Sequence, residues 1–163
     1  MEKDKINLLI VDDEEQFLTS ITKRLELRDF KVIAVTRGDK AVEAARNHPI
    51  DIALVDLKMP GMDGEQTLDA LKKEHEWMEV VILTGHGSID SAVKLTKSGA
   101  YSYLQKPCEM EKLIEVLTEA YKKRVMNKTK IRKERIEEIL EMSDKSSPLA
   151  ILRRLKELDS KGA

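Results

Sequence analysis

The chain has 163 residues, of which 41% are apolar and 36% are charged, enough for one core of ordinary size and a small additional segment. No run reaches the roughly 18 apolar residues that a membrane helix requires, and the N-terminus lacks the long apolar stretch of a signal peptide. A single cysteine excludes an internal disulfide, which is typical of a reducing compartment. We therefore predict a soluble, cytoplasmic protein that does not enter a membrane.

Charge is distributed unevenly along the chain. Residues 1–121 carry 16 Lys/Arg and 23 Asp/Glu, whereas residues 122–163 carry 13 and 7. This asymmetry predicts a compact acidic domain, residues 1–122, followed by a basic tail, residues 123–163.

The apolar pattern predicts five strands that alternate with five helices. The predicted strands are 6–11, 31–35, 51–56, 79–84 and 101–105. The predicted helices are about 15–28, 38–47, 64–74 and 89–98, and one from about 109 onward. Alternation with short connections favours an α/β fold in which helices cover both faces of a parallel sheet.

Polar residues follow four of the five predicted strands. Asp12 and Asp13 end the first strand, Asp56 the third, Thr84 the fourth and Lys106 the fifth. The carboxyl ends of parallel strands meet at one edge of the sheet, where α/β proteins bind their ligands. We therefore expect these five residues to converge.

These residue types are suited to phosphoryl transfer. Three neighbouring carboxylates repel one another unless a cation joins them, and a ligand set of oxygens alone suits Mg²⁺. A lysine and a hydroxyl both suit phosphate oxygens. A carboxylate can itself become an aspartyl phosphate, in a reaction that depends mainly on alignment and charge neutralisation.

Each residue also has an ordinary structural interpretation. The paired Asp12 and Asp13 could cap a helix, and Asp56 could belong to a turn. Thr84 could be a β-branched strand residue, and Lys106 could be a surface charge. Their joint placement at the strand ends favours the functional interpretation.

Four segments closely resemble bacterial response-regulator receiver domains, in particular those of NtrC-type and FixJ-type regulators. They are LLIVDDE (8–14), DLKMPGMDG (56–64), LTGHG (83–87) and GAYSYLQKP (99–107). The resemblance covers residues 5–122. It implies a flavodoxin-like doubly wound (βα)5 three-layer sandwich with strand order 2-1-3-4-5, here followed by a C-terminal helical extension.

The resemblance also implies a role for each residue of the acidic group. Asp56 would be the phosphoacceptor. Asp12 and Asp13 would be the acidic pair that holds Mg²⁺ together with Asp56. The backbone carbonyl of Lys58 would be a further metal ligand, while its side chain has no implied role.

The remaining implied roles concern the fourth and fifth strands. Thr84 would bond one phosphoryl oxygen, Lys106 would neutralise another, and the Lys106–Pro107 bond would be cis. Tyr103 occupies the position of the family's rotating aromatic, so Thr84 and Tyr103 would act together as the switch. Because Tyr101 lies two residues earlier, we expect it on the same face of the strand.

As a receiver, the chain would accept a phosphoryl group from a sensor histidine kinase or a phosphotransfer protein. Phosphorylation would then reshape the face of the fourth helix, fifth strand and fifth helix, about residues 89–121, and so control a partner or the chain's own oligomeric state. Such a domain is a signalling switch and not an enzyme, apart from its own phosphorylation and slow dephosphorylation.

Two alternatives stay open. An aspartate-dependent phosphatase of the haloacid-dehalogenase type also uses an aspartate nucleophile, but it carries a second aspartate two residues later, where this chain has Lys58. The chain could also be the N-terminal part of a longer transcriptional regulator, although no second domain is recognisable after Tyr121.

The tail has two recognisable parts. Residues 122–135 hold eight Lys/Arg. Because Ile136, Ile139 and Leu140 continue at helical spacing, the fifth helix is predicted to extend to about Met142. A second helix is predicted from Ser147–Pro148, with serine as the N-cap and proline at the first position. Its apolar stripe consists of Ile151, Leu152, Leu155 and Leu158.

The stripe must be buried, and three arrangements are open. It could pack on the chain's own receiver or on a second copy, it could dock on another protein, or the basic run could bind nucleic acid, which we consider unlikely because a charge run is usually a solvated helix face. A helix of this length does not hold together alone in water. We predict a homodimer to which both the tail and the 89–121 face contribute.

Overall fold

The structure is a computed structural model that describes residues 5–129, 140–141 and 147–161. Strands β1–β5 span Ile6–Val11, Phe30–Val35, Ile52–Val55, Glu79–Thr84 and Ser102–Gln105. Helices α1–α6 span Glu15–Glu26, Gly38–Asn47, Gly64–Glu74, Ile89–Lys97, Met110–Thr129 and Pro148–Lys161. Every predicted strand and helix is present, and most of the differences are at element ends.

The five strands form one parallel sheet in the order β2-β1-β3-β4-β5. With helices on both faces, this order confirms the flavodoxin-like doubly wound fold. Val55 at the end of β3 pairs with Val11 on one side and Ile82 on the other. Three strands therefore reach the same edge of the sheet together.

Alternation along each strand divides the core into two layers. Leu8 and Ile10 face α1, α5 and α6, whereas Leu9 and Val11 face α2, α3 and α4. Because both faces are covered, β1, β3 and β4 are apolar along almost their whole length, as in other buried parallel strands.

Helix α6 begins as predicted. Its first residue is Pro148, and the backbone N–H of Ala150 donates to Ser147 Oγ at 3.4 Å. This contact gives Ser147 the role of an N-cap, which satisfies one of the unpaired N–H groups of the first turn.

The apolar stripe of α6 packs on the chain's own receiver. Leu152 and Leu155 are 2% and 0% exposed and belong to the same core layer as α1 and α5, with Ile151 at its margin. The side chain of Leu158 lies outside the described residues. Of the arrangements considered for the tail, the structure adopts the intramolecular one, so burial of this stripe does not require a second copy.

The predicted division at residue 122 falls inside α5, which continues without a break to Thr129. Val125, beyond that division, is fully buried in the receiver core. Of the three residues on which the predicted extension to about Met142 rested, Ile136 and Ile139 lie outside the described residues. Leu140 is helical and packs at the margin of the core layer of α1 and α5. Within the described part of the chain, no helix is long and apolar enough to cross a bilayer.

Candidate functional site

Backbone hydrogen bonds between neighbouring strands continue to the polar residues just after the strand ends. The Asp12 N–H donates to Val35 O at 3.1 Å, and the Asp56 N–H donates to Val11 O at 2.9 Å. The Lys106 N–H donates to the carbonyl of Thr84 at 2.9 Å. These bonds hold Asp12, Asp56 and Lys106 at the same edge of the sheet. In parallel sheets this edge, where the carboxyl ends of the strands meet, is where ligands bind.

The three aspartates converge at this edge. Asp12 and Asp56 are each 2% exposed, and Asp13 is exposed. One carboxylate oxygen from each lies within 4.8 Å of the other two. Three carboxylates at this separation repel one another, and a bound cation would lower that repulsion.

The carboxylate of Asp56 is only half satisfied. Its Oδ1 accepts a hydrogen bond from the Leu57 N–H at 2.8 Å, but its Oδ2 is buried without a hydrogen-bond partner among the described residues. A buried carboxylate oxygen without a partner is costly. An oxygen-only donor set with one unsatisfied oxygen fits Mg²⁺, which takes one or two carboxylates and keeps several waters.

Lys106 reaches into the acidic group from β5. Its Nζ lies 2.5 Å from Asp12 Oδ2 and 3.6 Å from Glu14 Oε1, and 3.9 Å from the centre of the Phe17 ring. Burial raises the pKa of Asp12 in spite of the bond from Lys106. Burial by itself lowers the pKa of Lys106, but the bond to Asp12 and the nearby carboxylates outweigh it, and the net shift is upward. Lys106 is therefore a cation at neutral pH.

The contact between Lys106 and Phe17 did not follow from the sequence. Phe17 is a partly buried apolar residue of α1, and nothing in its sequence position indicates a contact with a lysine 89 residues later. An aromatic ring beneath an ammonium stabilises the cation by cation–π attraction. The aromatic residue therefore also helps to orient the lysine, and only the tertiary structure, in which Lys106 reaches from the end of β5 to the first turn of α1, reveals this.

Thr84 ends β4 and is fully buried. Its Oγ1 accepts a hydrogen bond from the backbone N–H of His86 at 3.1 Å. The hydroxyl therefore has a backbone donor within the loop that follows β4, and its own proton is available to an acceptor.

Tyr103 is half-buried against the loop after β4. Its hydroxyl lies 3.1 Å from Ser91 Oγ on α4, and its ring lies so close to Gly87 that any side chain at position 87 would collide with it. Neither partner could be named from the sequence. Together they hold the ring on the α4 side of β5.

The expectation for Tyr101 was wrong. Tyr101 packs in the core layer of α1 and α5, and the Nζ of Lys123 on α5 lies 5.6 Å from its ring centre. Tyr103 belongs to the opposite layer. The reason is that β5 begins at Ser102, so strand alternation does not extend back to Tyr101.

The loop after Asp56 approaches α3 closely. Gly64 is the first residue of α3, and a Cβ at that position would lie 2.7 Å from the carbonyl oxygen of Asp56 and 2.8 Å from Leu57 Cα. The Gly64 N–H also donates to Leu57 O at 2.8 Å. Glycine is therefore required here for close backbone approach.

The Lys58 side chain is exposed, and the Lys106–Pro107 bond is cis, as expected.

Comparison with protein-family models assigns most of this chain to a known domain. The model of the response regulator receiver domain matches residues 8–118. The match begins within β1, covers β2 to β5 completely and ends in the first half of α5, before α6.

Curated relatives are of the same kind. The chain is 34% identical over 143 residues to a putative NtrX-like response regulator of Rickettsia bellii, covering 86% of this chain and 29% of that protein. It is 35% identical over 120 residues to the transcriptional regulatory protein ZraR of Klebsiella oxytoca, covering 74% of this chain and 27% of that protein. The chain thus spans under a third of the length of these relatives.

Solved structures agree with the sequence relatives. A CheY-like receiver domain protein of Methanospirillum hungatei superimposes with a TM-score of 0.70 at 28% identity, covering 74% of this chain and 96% of that one. The beryllofluoride-activated NtrC4 receiver domain dimer gives a TM-score of 0.69 at 30% identity, covering 76% of this chain and 99% of that one. The chain belongs to the response regulator receiver domain family, the signal-receiving domains of two-component systems.

Proposed function

We propose that this receiver takes its phosphoryl group on Asp56, from a sensor histidine kinase or a phosphotransfer protein. The observation that supports this assignment is the buried Oδ2 of Asp56, which has no hydrogen-bond partner among the described residues. It belongs to a group with Asp12 and Asp13. A nucleophilic oxygen must have a lone pair directed at the reacting phosphorus, and this oxygen is not engaged by another donor.

The same residues would hold Mg²⁺. Asp12, Asp13 and Asp56 would supply carboxylate oxygens, and Lys58 would supply its backbone carbonyl. Mg²⁺ bound there would offset the negative charge shared by the carboxylates and the phosphoryl oxygens.

The chain's own residues would perform the remaining chemistry. An oxygen of Asp56 forms the new bond to phosphorus while the bond between phosphorus and the donor's imidazole nitrogen breaks, and the imidazole leaves with that electron pair. Lys106, now bonded to Asp12, would neutralise one phosphoryl oxygen. Thr84 would donate its hydroxyl proton to another. Both contacts stabilise charge during transfer.

The switch would use the contacts of Tyr103. As Thr84 moves to bond the phosphoryl group, space opens beneath the end of β4. Tyr103 would then leave Ser91 and turn inward, past Gly87. The face formed by α4, β5 and α5 would change shape, because it includes both Ser91 on α4 and Tyr103 on β5. Phosphorylation would bias two pre-existing states.

Acetyl phosphate with Mg²⁺ tests the acceptor directly. We expect intact-mass spectrometry to show one phosphoryl adduct on the wild-type protein and none on Asp56→Ala. An equal mass gain in both proteins would contradict the assignment. The phosphatase alternative has its own readout: sustained turnover of p-nitrophenyl phosphate at many cycles per second would favour a hydrolase.

A homodimer is a further part of the proposal. Ile89 and Val93 lie one turn apart on α4 and are 84% and 49% exposed, an apolar pair on the face that is expected to change. The dimeric NtrC4 receiver is 30% identical to this chain. Light scattering with and without beryllofluoride should show association that Ile89→Asp abolishes. Monomers at tens of micromolar in both conditions would contradict it.

The proposal also concerns the protein in which this receiver acts. The chain could act as a single-domain regulator in the cytoplasm, or as the receiver of a longer transcriptional regulator. The NtrX-like relative favours the second alternative, because the matched region is 29% of that protein. Immunoblotting of the native protein with a receiver-specific antibody would separate them by mass.

A further inference from the structure

A second group of paired charges lies at the opposite edge of the sheet. Acidic residues stand at the amino ends of β2, β3 and β4, and each is paired with cations carried by helices. The pairs are Asp29 with Arg153, Asp51 with Arg124 and Lys156, and Glu79 with Lys72 and Lys123. Two of these three acids therefore pair with a cation of α6.

Asp51 is the most completely bonded of them. It is buried, and its Oδ1 accepts from Arg124 Nε at 3.1 Å. Its Oδ2 accepts from Lys156 Nζ at 2.6 Å and from the Asn7 N–H at 2.9 Å. Arg124 and Lys156 are each only 8% exposed. Without Lys156, Oδ2 of the buried Asp51 would keep only the Asn7 N–H among these donors. Because loss of one partner from a buried charged group is strongly destabilising, Asp51 makes docking of α6 selective for a helix with a cation at this position.

Apolar contacts surround this ion group. Leu152 and Leu155 lie one turn apart on α6 and enter the core layer that also contains Tyr121 and Val125 of α5. Lys156 Nζ lies 5.8 Å from the Tyr121 ring centre. The apolar face of α6 thus provides binding energy, and the ion pairs determine its register and orientation.

The outer contact of α6 repeats this charge complementarity. Arg153 Nε donates to Asp29 Oδ2 at 2.6 Å, so the connection between α1 and β2 also holds the tail. Arg153 and Lys156 of the tail thus pair with acidic residues of the receiver to which the tail is joined. The family match, which ends at residue 118, includes neither of these two cations.

We propose that the amino-terminal edge of the sheet, with the α1–α5 face above it, is a binding site for a basic amphipathic helix. Asp51 is its specificity-determining residue, and α6 of the same chain is its ligand. The folded receiver then extends through α6, and another protein can use this face only by displacing that helix. The proposal does not depend on phosphorylation of Asp56.

The test begins with the full-length protein. A protease recognition sequence replaces residues 142–146, and the purified chain is cut there. We expect the tail fragment to co-elute with the receiver on size exclusion. We also expect a fluorescent synthetic peptide of residues 147–161 to exchange into the complex and gain anisotropy.

Matched peptide variants distinguish the specific ion pair from simple charge attraction. Lys156→Met should weaken binding roughly tenfold or more, as for loss of one partner of a buried charged pair. Arg154→Met removes the same charge from an exposed position of α6 and should change affinity less than about twofold. With Asp51→Asn in the receiver, the Lys156→Met peptide should lose little further affinity, since coupled residues are not additive.

Amide hydrogen exchange on the uncut chain provides a measurement that does not depend on a stable fragment. Residues 150–157 should be protected in the wild type and in Arg154→Met, and much less in Lys156→Met. The proposal is wrong if the cut tail elutes alone or if both variants have equal effects. It is also wrong if the uncut protein is a dimer in which each tail occupies the other copy.

Discussion

Asp51 and Asp56 flank the four-residue strand β3, and their carboxylates are bonded in opposite ways. Both oxygens of Asp51 accept hydrogen bonds from cations or a backbone N–H, whereas Asp56 keeps one buried oxygen without a partner among the described residues. The five steps from Asp51 to Asp56 along the extended backbone separate the two Cα atoms by about 16 Å. One strand thus carries a structural carboxylate at its amino end and the proposed reactive carboxylate at its carboxyl end.

This separation predicts that the two aspartates have independent effects. Asp51→Asn should lower the free energy of unfolding by about 2 kcal/mol or more, because it weakens charge-assisted bonds to Arg124 and Lys156. Labelling of Asp56 by acetyl phosphate should persist in the folded protein. Urea unfolding and intact-mass measurement check the two parts, and loss of labelling in fully folded Asp51→Asn would contradict independence.

Replacing Asp13 by Asn should weaken Mg²⁺ binding. The change removes one of three carboxylate charges that lie within 4.8 Å and preserves the size of the side chain. We expect the dissociation constant for Mg²⁺ to rise about tenfold, with a slower rate of phosphorylation. Titration followed by NMR or calorimetry measures the affinity, with Asp39→Asn on the exposed start of α2 as the control. An unchanged titration would remove Asp13 from the proposed ligand set.

The contact between Ser91 and Tyr103 predicts a shift in the resting conformation. Ser91→Ala removes the hydrogen bond to Tyr103 at 3.1 Å, together with the bonds between Ser91 Oγ and Ser88 at the start of α4. The loss of about 1 kcal/mol from the tyrosine contact should raise the inward population of Tyr103 about fivefold. The chain has three tyrosines, so fluorotyrosine labelling gives a readable ¹⁹F spectrum. The Tyr103 resonance should move toward its position with beryllofluoride. Ser98→Ala, exposed at the end of α4, is the control.

If the Tyr103 resonance in Ser91→Ala matches the wild type without beryllofluoride, the hydrogen bond does not hold the resting state. If beryllofluoride leaves the resonance unchanged in both proteins, Tyr103 has no part in the switch. The first result would limit the role of Ser91, and the second would contradict the proposed mechanism.

Gly64→Ala should disturb the phosphorylation loop. The added Cβ would lie 2.7 Å from the carbonyl oxygen of Asp56, so either α3 or the loop must move. We expect a loss of stability of about 1–3 kcal/mol and slower labelling of Asp56, because alignment governs phosphoryl transfer. Thermal unfolding and a time course of adduct formation measure these effects. Wild-type values for both would show that the loop adapts without cost.

The buried stripe of α6 predicts a contrast between two leucines. Leu155→Ala leaves a cavity in the receiver core and should destabilise the full-length protein by about 2–5 kcal/mol. Leu27→Ala removes the same atoms from a side chain that is 84% exposed and should change stability by under about 0.5 kcal/mol. Denaturant unfolding compares the two variants. Similar small effects would mean that α6 does not stabilise the receiver.

Much of the fold followed from local patterns. Apolar runs, turn residues and the alternation of strands and helices were sufficient for the elements and the parallel sheet, and the family resemblance supplied the strand order. The predicted site residues came together for a topological reason: Asp12, Asp56, Thr84 and Lys106 each follow a parallel strand, and such ends share one edge. Neither the fold nor the convergence of the site residues required knowledge of distances between atoms.

The contacts that only the tertiary structure decided join residues far apart in sequence. Asp51 lies 73 residues from Arg124 and 105 from Lys156, and nothing in the sequence distinguishes these two cations from the other 27 of the 29 Lys/Arg. Which lysine is buried beside which acid depends on how helices pack across a completed sheet. Sequence periodicity identifies an apolar face, as in α6, but the surface that buries it is determined by shape and charge in three dimensions.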